Sequence, residues 1–404
     1  MGIKIQPLKG FRDFLTKDAL KRAWLKDKIV EVFEAWGYDP METPTLEPLE
    51  LFEGQVGEDE KLFYKFEDQG GRKVALRYDQ TVPTARVIGE NFQSLGLPFK
   101  RYQVASAFRA EKPQKGRFRE FLQADADIFG IDSPIADAEV VALSLDVYRR
   151  LGFKNAVALI SDRDLLKDLP YAAIVALDKL EKIGEEAVIN EMIKKGISEI
   201  DAKDYLDRIK NLEPNEALKT IFSYLKNYGL EESSFKFEPR IARSFSYSSG
   251  PIWEIKIQGY SGGSVAGGER YDKLIESVSG KSIPATGFAI GFDRTLEAAE
   301  ELGLVPQIPT QAKVLVTIFN SELLEKTLDL ASILREAGIN TEIFPDSNTK
   351  LDRQLKYADK KGVPYAVIIG PEEAASNSVT LKDLTNQTQR VIKADDIISA
   401  LNGQ

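Results

Sequence analysis

"FRAEKPQKGRFREFLQADADIFG", residues 108–130, carries five cations in its first twelve positions and then Gln123, Asp125 and Asp127 at steps of two. Successive side chains of a β-strand point to opposite faces. From residue 117 the odd positions are Arg117, Arg119, Phe121, Gln123, Asp125 and Asp127, and the even ones are Phe118, Glu120, Leu122, Ala124, Ala126 and Ile128. One face suits an apolar core, while the other bears guanidiniums, a ring, an amide and carboxylates. The preceding run "RYQVASAFR", 101–109, sets Ala105 and Ala107 in phase with Arg109, which leaves room beside that arginine. Between the two runs "AEKPQKG" reads as a polar loop. The pattern is a hairpin whose polar face is built to hold a ligand. Its cationic end suits phosphates, with Phe121 stacking a base, and its amide and carboxylate end suits a small, partly cationic group. A solvated face laced with ion pairs is the bland alternative. The hollow beside Arg109 and the separation of charge sign along the face weigh against it.

Composition narrows the chemistry. The chain has 404 residues, 43% hydrophobic and 29% charged, enough for two or three globular domains. No apolar run is long enough to span a bilayer, and "MGIKIQPLKGFRDFL" lacks the apolar core of a secretion signal. A cytoplasmic protein is therefore expected. There is no Cys and no His. That excludes disulfides, thiolate and imidazole nucleophiles and the usual zinc ligands, so no protein metal site is expected. Catalysis has to rest on positioning, on Arg and Lys electrostatics, or on a carboxylate-bound hard cation. A net charge of −9 with a pI near 5.1 argues against a general nucleic-acid binder but allows a local basic surface for one RNA.

Periodicity divides the chain. Residues 17–36 read as an amphipathic helix ended by Gly37, and "YDPMETPTLEPLELF" as extended and Pro-punctuated. "EKLFYKFEDQGGRKVALRYDQT" reads as a hairpin turning at Gly70–Gly71, followed by a helix over 82–89. Asp132-Ser133-Pro134 starts a helix that runs to Arg150, and "NAVALIS" is a short buried strand. From 163 to 234 helix formers dominate, and strand signals resume at Phe235. Residues 301–312 read as a linker. The tail alternates strand and helix and closes on a hairpin, "SVTLKDL" with "QRVIKA", which predicts a small α/β domain with a mixed sheet.

The quoted stretch resembles motif 2 of the class II aminoacyl-tRNA synthetases, in the form found in histidyl-tRNA synthetases. "ATGFAIGFDR", 285–294, resembles motif 3, and "GYDPMETPTLEP", 37–48, resembles motif 1 with Pro44 as its proline. "KGFRDF", "LRYDQT", "SVAGGERYDKLI" and "QLKYADKKGVPYAVIIG" are also similar to histidyl enzymes, so the resemblance covers essentially the whole chain. It implies an α+β catalytic domain with an antiparallel sheet flanked by helices, a helical insertion and a C-terminal α/β anticodon-binding domain. The implied boundaries are 1–162 and 235–300 for the catalytic core, 163–234 for the insertion and 313–404 for the anticodon domain. The implied activity is ATP-dependent attachment of histidine to its tRNA through a histidyl-adenylate. Expected partners are ATP with Mg2+, histidine, tRNA and a second copy of the chain.

Carried over by matching position, Arg109, Arg243 and Arg294 would serve the α-phosphate and catalysis. Glu111, Arg117, Phe121 and Arg294 would hold ATP. Gln123 and Asp127 would bind the substrate α-amino group with Asp79 and Thr81, and Gln80, Tyr247, Ser248 and Tyr271 would complete the amino-acid site together with Arg109 and Arg243. Gln114 and Lys115 would face the tRNA acceptor end. Adenylation uses the substrate's own carboxylate as nucleophile, which fits a chain without His or Cys.

The chain departs from the family in two stretches. The pattern R-G-L-D-Y-Y-T-G stands here as "RSFSYSSG", 243–250, with Ser246 for the aspartate and Ser248 for the second tyrosine. Glu269 stands where glycine is usual. These changes touch the side-chain pocket and leave the ATP machinery alone. Three alternatives stay open at this point. They are a synthetase of altered amino-acid specificity, an RNA-binding sensor, and a non-catalytic paralogue such as the regulatory subunit of ATP phosphoribosyltransferase.

Overall fold

A computed structural model describes residues 5–55, 57–112, 118–242 and 247–403, with the side chains of 57–59, 181 and 182 outside the description. In chain order the helices are α1 (Thr16–Ala35), α2 (Thr81–Asn91), α3 (Pro134–Arg150), α4 (Tyr171–Leu177), α5 (Leu180–Lys194), α6 (Glu199–Lys210), α7 (Glu216–Asn227), α8 (Asp272–Ser279), α9 (Phe292–Glu301), α10 (Leu324–Glu336), α11 (Leu351–Lys361), α12 (Pro371–Ser376) and α13 (Ile397–Asn402). The strands begin with β1 (Asp39–Pro40), β2 (Leu46–Pro48), β3 (Lys65–Glu67), β4 (Lys73–Leu76), β5 (Phe99–Phe108), β6 (Glu120–Phe129), β7 (Ala156–Asp162) and β8 (Phe235–Phe237). They continue with β9 (Pro251–Ile257), β10 (Ala266–Arg270), β11 (Ala285–Gly291), β12 (Val314–Val316), β13 (Thr341–Ile343), β14 (Tyr365–Ile368), β15 (Ser378–Asp383) and β16 (Thr388–Lys393). The chain divides into two compact units. One is Trp24–Val305 with the residues up to Asp13, and the other runs from Pro306 and includes Phe14–Ala23.

The first unit is built on an eight-stranded sheet of order β1-β5-β6-β11-β10-β9-β7-β8. Its interior pairings are antiparallel, and only the edge pairs β1–β5 and β7–β8 are parallel. The expected hairpin is β5–β6, with Ala105 opposite Gln123, Gln103 opposite Asp125 and Arg101 opposite Asp127. The even-numbered face of β6 does what the alternation predicts: Ala124, Ala126 and Ile128 join a core with Leu143 and Val147 of α3, Trp253 of β9 and Phe288 and Ile290 of β11. Pro134 opens α3, and the Ser133 hydroxyl accepts from the Ile135 amide at 3.3 Å. Arg270, 5% exposed, ties β10 to α3 through a 2.9 Å ion pair with Asp137. Removing one partner of such a buried pair costs about 3–5 kcal/mol.

Helices α4 to α6 pack round their own apolar cluster, which includes Ile174, Leu177, Val188, Met192 and Leu206, whereas α7 joins the sheet core through Leu218, Ile221 and Leu225. The hairpin read at Gly70–Gly71 is β3–β4, antiparallel and joined to β2 in a three-stranded sheet. The second unit holds a mixed sheet of order β13-β12-β14-β15-β16, with β12 parallel to both neighbours and β15–β16 closing it as a hairpin. The short helices α12 and α13 went unread in the sequence.

Candidate active site

Strands β5 and β11 both run antiparallel to β6, so the end of β5, the start of β6, the start of β10 and the end of β11 meet at one end of the sheet. Arg109 follows β5 there, and Arg294 lies in the first turn of α9, which follows directly on β11. The Arg109 guanidinium carbon lies 4.1 Å from the centre of the Tyr78 ring and 5.1 Å from that of Phe121, and its Nε donates to the Tyr78 carbonyl at 3.3 Å. Two aromatic faces thus hold the cation by attraction to their π-systems. Arg294 is half-buried, and its Nη1 donates to the Ser264 carbonyl at 3.1 Å. Its neighbour Asp293 accepts from Arg12 at 2.8 Å and from the Leu122 amide at 3.4 Å, fastening the start of α9 to β6.

Farther along the same face the charge changes sign. Asp125 and Asp127 are 2% and 3% exposed, and Asp127 meets the fully buried Arg101 at 2.6 Å. Tyr271 donates its hydroxyl to Asp127 at 2.5 Å. Burial pushes the Asp125 carboxyl well above the usual carboxylate range; Arg101 opposes that shift, and the charges of Asp127 and Asp79 add to it. Burial also raises Asp127, against Arg101 and the Tyr271 hydroxyl. Asp79 is raised for the same first reason, opposed by the Val82 amide and Arg109. Three carboxylates therefore crowd round Arg101, a grouping that a cationic ligand would relieve. Their floor is small: Gly287, Ala289 and Gly291 lie opposite Asp127, Asp125 and Gln123.

Of the residues singled out in the sequence, Arg109, Phe121, Gln123, Asp79 and Arg294 come together at this end of the sheet, with Asp127 and Tyr271 deeper along the face. Glu111 is half-buried just past β5, and Thr81 is the first residue of α2. Asp79 also accepts from the Val82 amide at 3.0 Å, a helix-capping contact. Gln80 is fully buried, and its amide donates to the carbonyls of Ala105 and Gln123 at 3.1 and 2.9 Å, bracing β5 to β6. Tyr247 is buried edge-on to Tyr271 at 6.5 Å, and the Ser248 hydroxyl donates to Glu269. Gln114, Lys115, Arg117, Arg243 and Ser246 lie outside the described residues.

Arg101 escaped the sequence reading, although it shares the phase of Ala105, Ala107 and Arg109. Its importance depends on the β5–β6 register, which sets it opposite Asp127. Asp125 was read as part of the face but given no role, and its burial comes from neighbouring strands rather than from its own.

Comparison with known proteins bears on the whole chain. The family model described as histidyl-tRNA synthetase matches residues 10–204 and 188–295, and an anticodon binding domain matches 313–404. The chain is 36% identical over 413 residues to the histidine–tRNA ligase of Wolinella succinogenes, covering 93% of each chain. To that of Pyrococcus furiosus it is 36% identical over 423 residues, covering 98% of each. The crystal structure of histidyl-tRNA synthetase from Nostoc sp. PCC 7120 superposes with a TM-score of 0.85 at 28% identity over all of both chains. With its catalytic-domain match spanning well over half of the sequence, the chain belongs to the histidyl-tRNA synthetase family.

Proposed function

We propose that the chain joins histidine to its tRNA in two steps at the face formed by β5, β6, β11 and β10. In the first, the histidine carboxylate attacks the α-phosphorus of ATP and pyrophosphate leaves, giving histidyl-adenylate. In the second, a ribose hydroxyl at the tRNA end takes the histidyl group and AMP leaves. The observation that carries this reading is the seating of Arg109 between Tyr78 and Phe121 at the sheet end where α9 presents Arg294. Guanidiniums fixed in advance stabilise charge growing on the phosphoryl oxygens without reorganising during the step.

In this reading Arg109 holds the α-phosphate and the amino-acid carboxylate, Phe121 stacks on adenine, Glu111 reads its edge, and Arg117 and Arg294 hold the outer phosphates. Arg243 approaches the α-phosphate, and Gln114 and Lys115 meet the tRNA end. Asp79, Thr81 and Gln123 take the ammonium group, with Gln80 bracing the strands beneath them. Asp127 lies four residues beyond Gln123, about 13 Å along the strand. That distance leaves Asp127, with Tyr271, Tyr247 and Ser248, to the side chain.

Mg2+ arriving on the triphosphate belongs to the proposal. Among the described residues no cluster of three or more carboxylates is arranged to hold a metal ion, and charge neutralisation by the protein is assigned to its arginines. Family membership, together with Arg109, Arg294 and a match to the anticodon domain, supports the catalytic reading over the non-catalytic paralogue. The domain limits read from the sequence, a cytoplasmic location and a homodimer complete the proposal. Among the described residues no helix is long and apolar enough to cross a membrane. A solution mass of twice 45.1 kDa is expected, and a stable monomer would remove the dimer.

ATP–pyrophosphate exchange tests the arginine roles. Arg294→Ala and Arg109→Ala should each lower histidine-dependent exchange by about a hundredfold or more with the melting temperature little changed. Wild-type exchange in either variant would overturn its assignment.

A further inference from the structure

Two positions at which the chain departs from its family's pattern, Ser248 and Glu269, are hydrogen-bonded to each other. Their place in the sheet says what the pair faces. The cross-strand row runs Asp127, Gly287, Glu269, Ile252, so Asp127 and Glu269 stand on one face with a glycine between them. A Cβ at Gly287 would lie 1.9 Å from the Asp127 Oδ1, which shows that the Asp127 carboxylate leans over this gap. Adjacent strands are about 4.8 Å apart, so the backbones of the two acidic strands lie about 10 Å apart, with Gly287 adding no side chain of its own between them. On the far side of Glu269, Ile252 packs with Leu159 and Ile241 as an apolar wall. Glu269 is half-buried with the guanidinium of Arg163 as an electrostatic neighbour. One row along, Asp125 opposes Ala289, and its Oδ1 is buried with no hydrogen-bond partner among the described residues. That row therefore holds one acceptor atom without a hydrogen-bond partner among the described residues.

We propose that Glu269, aimed by Ser248, is a specificity-determining residue that accepts a hydrogen bond from the substrate side chain on the side opposite Asp127. The pair of carboxylates then selects a ring carrying two N–H donors, the imidazolium form of histidine. A five-membered ring that donates from both nitrogens bridges the two carboxylates. A ring with a single donor leaves one buried acceptor unsatisfied, which costs about 1–3 kcal/mol, more for a charged group. This inference rests on the reading that the chain activates histidine.

The test is ATP–pyrophosphate exchange on the full-length enzyme with histidine and with 1,2,4-triazolylalanine, whose ring stays neutral and has one N–H. Wild type should favour histidine by about a hundredfold in kcat/KM, the value of one charge-assisted hydrogen bond at the upper end. Glu269→Gln should raise the histidine KM about ten- to a hundredfold, leave kcat and the ATP KM near wild type, and collapse the preference over the triazole. Ser248→Ala, which removes the aiming contact and keeps the Glu269 carboxylate, should move the histidine KM the same way by less. Equal use of both rings by wild type, which needs no variant, would overturn the inference. So would a folded Glu269→Gln, judged by its melting curve, with wild-type histidine KM and ring preference. In either case exchange with histidine persists and the functional reading stands; wild type that exchanges with no amino acid overturns both.

Discussion

Asp125 shows how much of this site is decided one residue at a time. Its carboxyl is buried with Asp127 and Asp79 nearby, and its pKa is raised first by desolvation. A carboxyl that binds its proton more tightly folded than unfolded subtracts stability as pH rises. The penalty is absent below the unfolded value near 3.9 and complete above the folded one. Asp125→Asn should therefore match the parent's melting temperature near pH 4 and exceed it at pH 7–8 in calorimetry without ligand. A variant less stable than the parent at pH 8 would contradict this. Its histidine KM should rise, because the charge that a cationic ligand relieves is gone. At this scale the sequence is legible where phase alone decides: Arg109, Phe121, Gln123 and Asp127 fall on one face by counting. Gln80 is different. The resemblance of "LRYDQT" to histidyl enzymes implies a ligand contact for it, yet its amide is spent on two strand carbonyls that no local pattern reveals.

Among elements, the hairpin β5–β6 and the start of α3 follow from alternation and from the Ser-Pro opening. The insertion of β11 between β6 and β10 does not, because sheet order is settled by long-range packing. That insertion makes the site, since it lays Gly287, Ala289 and Gly291 beside the acidic residues of β6. Two glycines on adjacent strands separate floor from core. A Cβ at Gly287 meets the Asp127 carboxylate at 1.9 Å, whereas one at Gly268 meets the Trp253 ring at 2.2 Å on the opposite face. Each substitution by alanine should destabilise by about 1–3 kcal/mol through overpacking. Gly287→Ala should also raise the histidine KM, while folded Gly268→Ala should leave it within about twofold, less than half a kcal/mol. The same KM effect from both glycines would mean that the floor has been assigned to the wrong face.

For the whole molecule, a chain with neither His nor Cys limits catalysis to charge and position, and the family to which it belongs needs no protein nucleophile for adenylate formation. The second unit is expected to read the tRNA. On α11 Gln354 and Ala358 face inward, while Arg353, Lys356 and Lys360 are exposed at helical spacing. Replacing those three by alanine should raise the tRNA KM about tenfold, flatten the salt dependence of aminoacylation by about two charges, and leave amino-acid exchange untouched. Unchanged tRNA kinetics would move the RNA surface elsewhere. The α/β character of this unit was legible from its alternating strand and helix patterns, but its short helices α12 and α13 were not, at six residues each. The claim on which the rest depends is that guanidiniums at one end of the sheet support adenylation of an amino acid. Its most direct test is ATP–pyrophosphate exchange by the purified chain across the twenty standard amino acids. The account predicts exchange dependent on histidine, and exchange with none of the twenty would contradict it.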